Sequence, residues 1–353
     1  MTIRSVHDAA LGVVHLRIDT VILPALVLAL VCTLGWILLR RRMMLIPLSA
    51  ALVCGVLAAL NTQIWHTPTL AAALGHPPRG IVTSAVIPGE TSGFHARPAA
   101  IYTPPFYGTP GDSAPPVLVL LTGQPGHVVD WIDGGHLADT MDTYAESHDG
   151  HAPVVVVADA LGESDPMGSV DEWGEPTPNP MCMDSRLGNV ATYLSVDVPA
   201  WIRHTMRVDT DPSAWAIGGY SYGGTCAVQT ALTAPGIYPT FLDISGEDEP
   251  RRGTREDSIT AAFGDGSAES TRRFDQWTPL TLLREKTFPN SSGAFVVGSS
   301  DTEFEPQTRE LFAAAAADAL SVQYSELPGG HSMDVWAPAL EREMDWLGTR
   351  MGL

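Results

Sequence analysis

The run Gly219-Tyr220-Ser221-Tyr222-Gly223-Gly224 sets a serine between glycines two positions before and two after it. A strand-like apolar run, 214–218, precedes it, and a helix-compatible run, 225–232, follows. Strand, Gly-x-Ser-x-Gly, helix is the setting that holds a serine on a tight turn as a nucleophile. Strand and helix approach so closely there that the flanking positions must be small. The helix N-terminus supplies positive potential where an oxyanion would form. Such a serine needs a base. Of the eleven histidines, His331 is the best placed, in Pro328-Gly329-Gly330-His331-Ser332, after the last strand-like run and before a C-terminal helix. The acid that orients the base is expected after the preceding strand. Asp301 stands there, in Gly298-Ser299-Ser300-Asp301-Thr302-Glu303, with Glu303 and Glu305 as alternatives. Two backbone N–H groups are needed for the oxyanion. Tyr222, next to the serine, is one candidate. Gln124, in Thr122-Gly123-Gln124-Pro125-Gly126, is the other, because Pro125 has no N–H to give. His127, His136 and His151 are expected at the surface or on a pocket rim.

These residues must be carried by a scaffold. Short apolar runs at 117–121, 154–157, 215–218, 241–244, 294–297 and 322–324 suit strands buried on both faces. Helical stretches at 189–207, 225–233, 306–319 and 337–347 alternate with them. The alternation implies an α/β fold, a mostly parallel sheet flanked by helices. Two insertions, 162–184 and 247–283, are rich in Gly, Pro and charge and are expected over the site. Cys226 lies five residues after Ser221. In an oxidising compartment a Cys182–Cys226 disulfide would pin the first insertion beside the serine, the alternative being two buried free thiols. The four cysteines form no CxxC pair, and no His/Asp cluster has ligand spacing. No metal or cofactor is expected.

Composition narrows the function further. The 353 residues carry 40 acids against 20 bases, a formal charge of −20, and Lys286 is the only lysine. A nucleic-acid partner is excluded, since phosphate contacts need a basic face. With 45% hydrophobic and 17% charged residues the chain is not disordered. The apolar residues concentrate early. Residues 21–39 are uncharged, Arg40, Arg41 and Arg42 interrupt, and 43–60 are again uncharged. Each run is long enough to cross a bilayer as a helix. The expected organisation is a two-helix transmembrane anchor over 1–62, a linker over 63–87 and a catalytic domain over 88–353. A signal peptide followed by a buried core helix is the alternative. The triple-arginine turn belongs in the cytoplasm by the positive-inside rule, leaving the catalytic domain of a multi-pass cell-membrane protein extracytoplasmic. The first 60 residues hold five bases and two acids, so the remainder has 15 bases against 38 acids.

The Leu120-Leu121-Thr122-Gly123 loop, the serine turn and the Gly329-Gly330-His331-Ser332 loop together resemble the putative-esterase branch of the α/β-hydrolase superfamily. That branch includes esterase D-type carboxylesterases and the mycolyltransferases of actinobacterial envelopes. The resemblance covers roughly residues 99–347 and implies an α/β-hydrolase fold, with Ser221 as nucleophile, His331 as base and Gln124 and Tyr222 as oxyanion donors. Mycolyltransferases carry an aspartate and an arginine in the first loop, near where Thr122 and Pro125 stand, and a tryptophan where Met333 stands. A plain esterase with Asp301 as its acid therefore fits better than trehalose mycolylation. The expected function is a membrane-anchored serine esterase cleaving a lipid or lipid-linked envelope ester. The acidity points further, to an aminoacylated lipid bearing an ammonium group. The alternatives are acyl transfer to a sugar or protein hydroxyl, and an inactive envelope binding module.

Overall fold

The computed structural model describes Val31 and residues 78–353, except 110–112, 164–167, 169–177 and 318–319. Apart from Val31, the expected transmembrane runs lie outside the described residues. Among those residues no helix is long and apolar enough to cross a membrane. A compact unit runs from Gly80 to Leu353.

In chain order its elements begin with strands β1 (Ile81–Ala85), β2 (Ala99–Thr103) and β3 (Val117–Leu121). Helices α1 (Val129–Asp133) and α2 (Leu137–Ser147) lead to β4 (Val154–Val157). A small hairpin, β5 (Asp184–Ser185) and β6 (Gly188–Asn189), precedes α3 (Val190–Thr192), which continues through a π-helical turn (Tyr193–Asp197) into α4 (Val198–Thr205). Strand β7 (Trp215–Tyr220) then meets α5 (Tyr222–Thr233), followed by β8 (Thr240–Ile244). Helices α6 (Arg255–Phe263), α7 (Ala268–Asp275) and α8 (Pro279–Glu285) come next, then β9 (Ser292–Gly298), α9 (Glu305–Ala317), β10 (Ser321–Leu327) and α10 (Met333–Met351).

The main sheet has the order β1-β2-β4-β3-β7-β8-β9-β10. The pairs from β4 through β10 are parallel, while β1–β2 and β2–β4 are antiparallel. Strands β3, β4, β7, β8 and β9 are buried along their whole length, as helices on both faces require. Side chains alternate across β3: Val117, Val119 and Leu121 enter one core, Leu118 and Leu120 the other. This is the α/β-hydrolase arrangement that the sequence implied.

The structure also departs from the expected boundaries. Ile81–Ala85 falls inside the stretch read as linker, yet it forms edge strand β1, paired along all five residues with β2. Its first four residues are exposed, so no buried apolar pattern marks it. Helix α10 starts at Met333 rather than 337. Pro338 lies inside it, where it removes one intrahelical bond but keeps a helical φ.

The described residues of the two insertions pack together as a cap. Met181, Met183 and Leu187 pack with Ile259, Ala261, Ala262 and Phe274 in a small apolar core of their own. Arg186 donates through Nε to the Ala261 carbonyl at 2.7 Å, and Asn179 Nδ2 donates to the Arg251 carbonyl at 2.9 Å.

Candidate active site

Every candidate side chain arrives from the carboxyl edge of the parallel strands. Ser221 follows β7 directly and caps α5 with φ 55° and ψ −126°, a region that L-residues rarely occupy. The flanking glycines make this turn feasible. A Cβ on Gly219 would stand 2.5 Å from the Gly223 carbonyl carbon and oxygen, and one on Gly223 would stand 2.6 Å from the Leu121 oxygen. The turn is tied to the next strand, where Ser221 N–H donates to the Ile244 carbonyl at 2.8 Å.

His331 Nε2 lies 2.9 Å from Ser221 Oγ. Its Nδ1 lies 2.7 Å from Asp301 Oδ2. Asp301 is buried, and its other oxygen accepts the Phe304 N–H at 3.3 Å. The loops carrying this pair are fastened together: Ser300 N–H donates to the Gly329 carbonyl at 2.8 Å. Gly298 allows that approach, since a Cβ there would meet the Gly329 oxygen at 2.5 Å. Of the acids considered for this place, Asp301 is the one that meets the ring. Glu305 instead bonds Arg309 on its own helix.

Aromatic rings hold the imidazole. Phe304 stacks on His331 with centroids 3.8 Å apart, and Trp336 meets it edge-on at 4.9 Å. Trp336 stacks in turn on Tyr220 at 4.2 Å. Sequence reasoning passed over both rings. Phe304 lies three residues after Asp301 and Trp336 five after His331, and spacing alone does not distinguish them from core residues.

The loop after β3 lies against the serine. A Cβ on Gly123 would come within 3.2 Å of Ser221 Cβ and 2.7 Å of the Tyr220 ring. Gln124 is the next residue. Tyr222, the first residue of α5, has an N–H without an intrahelical acceptor, as do all first-turn amides. Its side chain has a separate role. The buried Tyr222 hydroxyl donates to the Ala160 carbonyl at 3.0 Å and accepts the Cys182 N–H at 3.2 Å. Cys182 is joined to Cys226 by a disulfide with Cα atoms 5.4 Å apart, so the cap is fixed covalently to α5.

Two carboxyl groups close to the serine turn are pushed upward. Asp243, on β8 beneath the serine turn, is fully buried, and neither of its oxygens accepts a hydrogen bond of good geometry. Burial raises it from 3.8 to about 7, with a small opposing effect from the Gly246 amide. Glu247, just after β8, is raised to about 8 by burial and, less strongly, by the charges of Asp248, Glu303 and Glu249, with Arg251 opposing. Burial, and then the nearby Asp130, pushes the Tyr220 hydroxyl upward as well.

Residues 95–347 match the model of the family described as "Putative esterase". The chain belongs to that family. It is 38% identical over 270 residues to an uncharacterized protein of Corynebacterium glutamicum, which covers 75% of this chain. The chain spans 60% of that relative's length. Among solved structures it is similar to a ferulic acid esterase, with TM-score 0.64 and 16% identity, over 78% of this chain and 100% of that one. It is also similar to an S-formylglutathione hydrolase from Agrobacterium tumefaciens, with TM-score 0.61 and 19% identity, over 77% and 96%. At such identities these two likenesses concern the fold.

Proposed function

We propose that this protein cleaves carboxylic esters through an acyl-enzyme formed on Ser221. The observation that carries the reading is the unbroken chain from Ser221 Oγ to His331 Nε2, 2.9 Å, and from His331 Nδ1 to Asp301, 2.7 Å. His331 takes the hydroxyl proton as Oγ attacks the ester carbonyl, and returns it to the departing alcohol. Asp301 holds the Nδ1–H tautomer and stabilises the imidazolium that forms. The N–H groups of Gln124 and Tyr222 receive the oxyanion. Water then attacks the acyl-enzyme, with His331 again as base. Ser221 is half-buried and His331 exposed, so water reaches the site. An inert binding module would have no need of three side chains aligned in this way.

The substrate in this reading is a lipid or lipid-linked ester of the cell envelope, met by an extracytoplasmic domain anchored through residues 1–62. Glu303, two residues past Asp301, brings negative charge beside the site, which supports an acyl group bearing an ammonium, as in an aminoacylated lipid. A fluorophosphonate probe tests the chemistry: labelling is expected in the native protein and lost in Ser221→Ala and His331→Ala. Retained labelling in either variant refutes the assigned roles. Release of amino acid from aminoacylated phosphatidylglycerol, compared with release of fatty acid from a neutral diacylglycerol, tests the substrate. Turnover of the neutral ester at an equal or higher rate refutes the aminoacyl assignment.

A further inference from the structure

Arg97, two residues before β2, is outside the serine–histidine–aspartate chain, yet its hydrogen bonds reach the loop that bears Gln124 and the loop after β4, which accepts the Tyr222 hydroxyl. Its Nη2 donates to the Gly126 carbonyl at 2.9 Å and to Asp159 Oδ1 at 2.7 Å. Its Nε donates to that same carboxyl oxygen at 3.1 Å, and its Nη1 meets His127 Nδ1 at 2.7 Å. Its backbone N–H donates to Asp159 Oδ2 at 2.6 Å.

One end of this contact set is the loop after β3. Gly126 N–H donates to the Gly123 carbonyl at 2.8 Å, closing a turn with Gln124 inside it. The turn has no slack, because a Cβ on Gly126 would stand 2.6 Å from the Gly123 oxygen and 2.8 Å from Asp130 Oδ2. The other end is the loop after β4. Asp159, fully buried, also accepts the N–H groups of Leu161 at 3.2 Å and Gly162 at 3.0 Å. Between them, the Ala160 carbonyl accepts the Tyr222 hydroxyl at 3.0 Å. A run of hydrogen bonds and short backbone links thus extends from Gln124, through Gly126, Arg97 and Asp159, to Tyr222.

We propose that Arg97 is a positioning residue that sets the separation of the two oxyanion donors, Gln124 and Tyr222. The assignment rests on the serine-hydrolase reading above. A guanidinium suits the task because its planar fork can hold a carboxylate, a carbonyl and an imidazole nitrogen at fixed angles. The single ammonium of a lysine cannot hold all three. Displacing one donor by about 1 Å can cost about 100-fold in rate without weakening ground-state binding.

The test compares the full chain with Arg97→Lys, Arg97→Gln and His127→Ala, in steady-state hydrolysis of p-nitrophenyl butyrate and in the rate of fluorophosphonate labelling, with melting temperature as the folding control. Arg97→Lys keeps a positive charge near the buried Asp159 and loses the fork. It is expected to lower kcat by about 10- to 100-fold with KM within about twofold, and to slow labelling in parallel. His127→Ala leaves the Arg97–Asp159 pair intact and so preserves the fold should the arginine variants unfold. Its expected loss in kcat is smaller, about three- to tenfold. The proposal is overturned if the folded variants keep the native kcat, or if only KM or melting temperature changes. Absence of Ser221 labelling in the native protein would instead bring down the serine-hydrolase reading, and this assignment with it.

Discussion

The substitution Asp243→Asn should reshape the dependence of stability on pH. The carboxyl is fully buried on β8, and its value rises from 3.8 to about 7 on folding. A carboxyl raised in this way favours the folded state most below pH 4, where it is neutral in both states. That contribution falls as pH climbs toward 7, because the unfolded chain ionises first. The gap of about three pH units is worth about 4 kcal/mol at full ionisation. Between pH 5 and pH 8 the loss from this group is on the order of 3 kcal/mol. In a domain of this size that corresponds to roughly 6–12 °C in Tm. The asparagine side chain of the variant cannot ionise. Whatever its amide costs in packing applies equally at every pH, so the informative quantity is the slope. Thermal unfolding followed by circular dichroism from pH 4 to 9 at constant ionic strength should show the native Tm declining relative to the variant from pH 5 to 8. Glu247, raised to about 8, is present in both proteins and cancels in the difference. Parallel profiles for the two proteins would show that Asp243 is solvated or partnered in solution and would refute the argument.

The remaining predictions concern the site and its supports. Asp301→Asn should lower kcat on p-nitrophenyl butyrate by about 10³- to 10⁴-fold through loss of the correct imidazole tautomer, while Glu303→Gln stays within about threefold. Equal losses in the two variants would show that the acid role is shared between these carboxylates. Gly219→Ala should yield an inactive or insoluble protein, because its methyl would stand 2.5 Å from the Gly223 backbone; soluble expression with native kcat would refute this. The Cys182→Ser/Cys226→Ser double variant opens a covalent loop with a sequence separation of 44. Chain entropy puts that loss near 4 kcal/mol, or roughly 8–16 °C in Tm by calorimetry, and an unchanged Tm would refute it.

What the amino-acid sequence revealed depended on how local the signal was. The runs 117–121 and 154–157 coincide with β3 and β4 because both are short, wholly buried and bounded by polar or turn-forming residues. Ser221 was legible because the elbow's steric demand is written within six residues, and His331 and Asp301 because chain order assigns their loops. The cap helices were not. Helix α7, with the sequence Ala-Glu-Ser-Thr-Arg-Arg-Phe-Asp, turns the large apolar side chain of Phe274 inward, against a cluster whose other half comes from residues 181–187. Periodicity cannot show a face whose partner is about ninety residues away. Strand β1 escaped notice for the opposite reason: its exposed residues carry no burial pattern.

The polar groups that sequence reasoning missed obey a rule it could have used. In a parallel sheet the residues just past the strands' carboxyl ends gather at one edge, where ligands bind. Applied to β7, β9 and β10, that rule leads to Ser221, Asp301 and His331. Applied to β4 and β8 it would also have nominated Asp159 and Glu247, each a carboxylate within three residues of its strand's end. Neither is a nucleophile, a base or the acid of a triad, so the pattern that marks those three does not reach them. A carboxylate whose task is to hold an arginine has no signature of its own in sequence. Only the fold brings the guanidinium to it across a sequence separation of 62, and with it the carbonyl of Gly126.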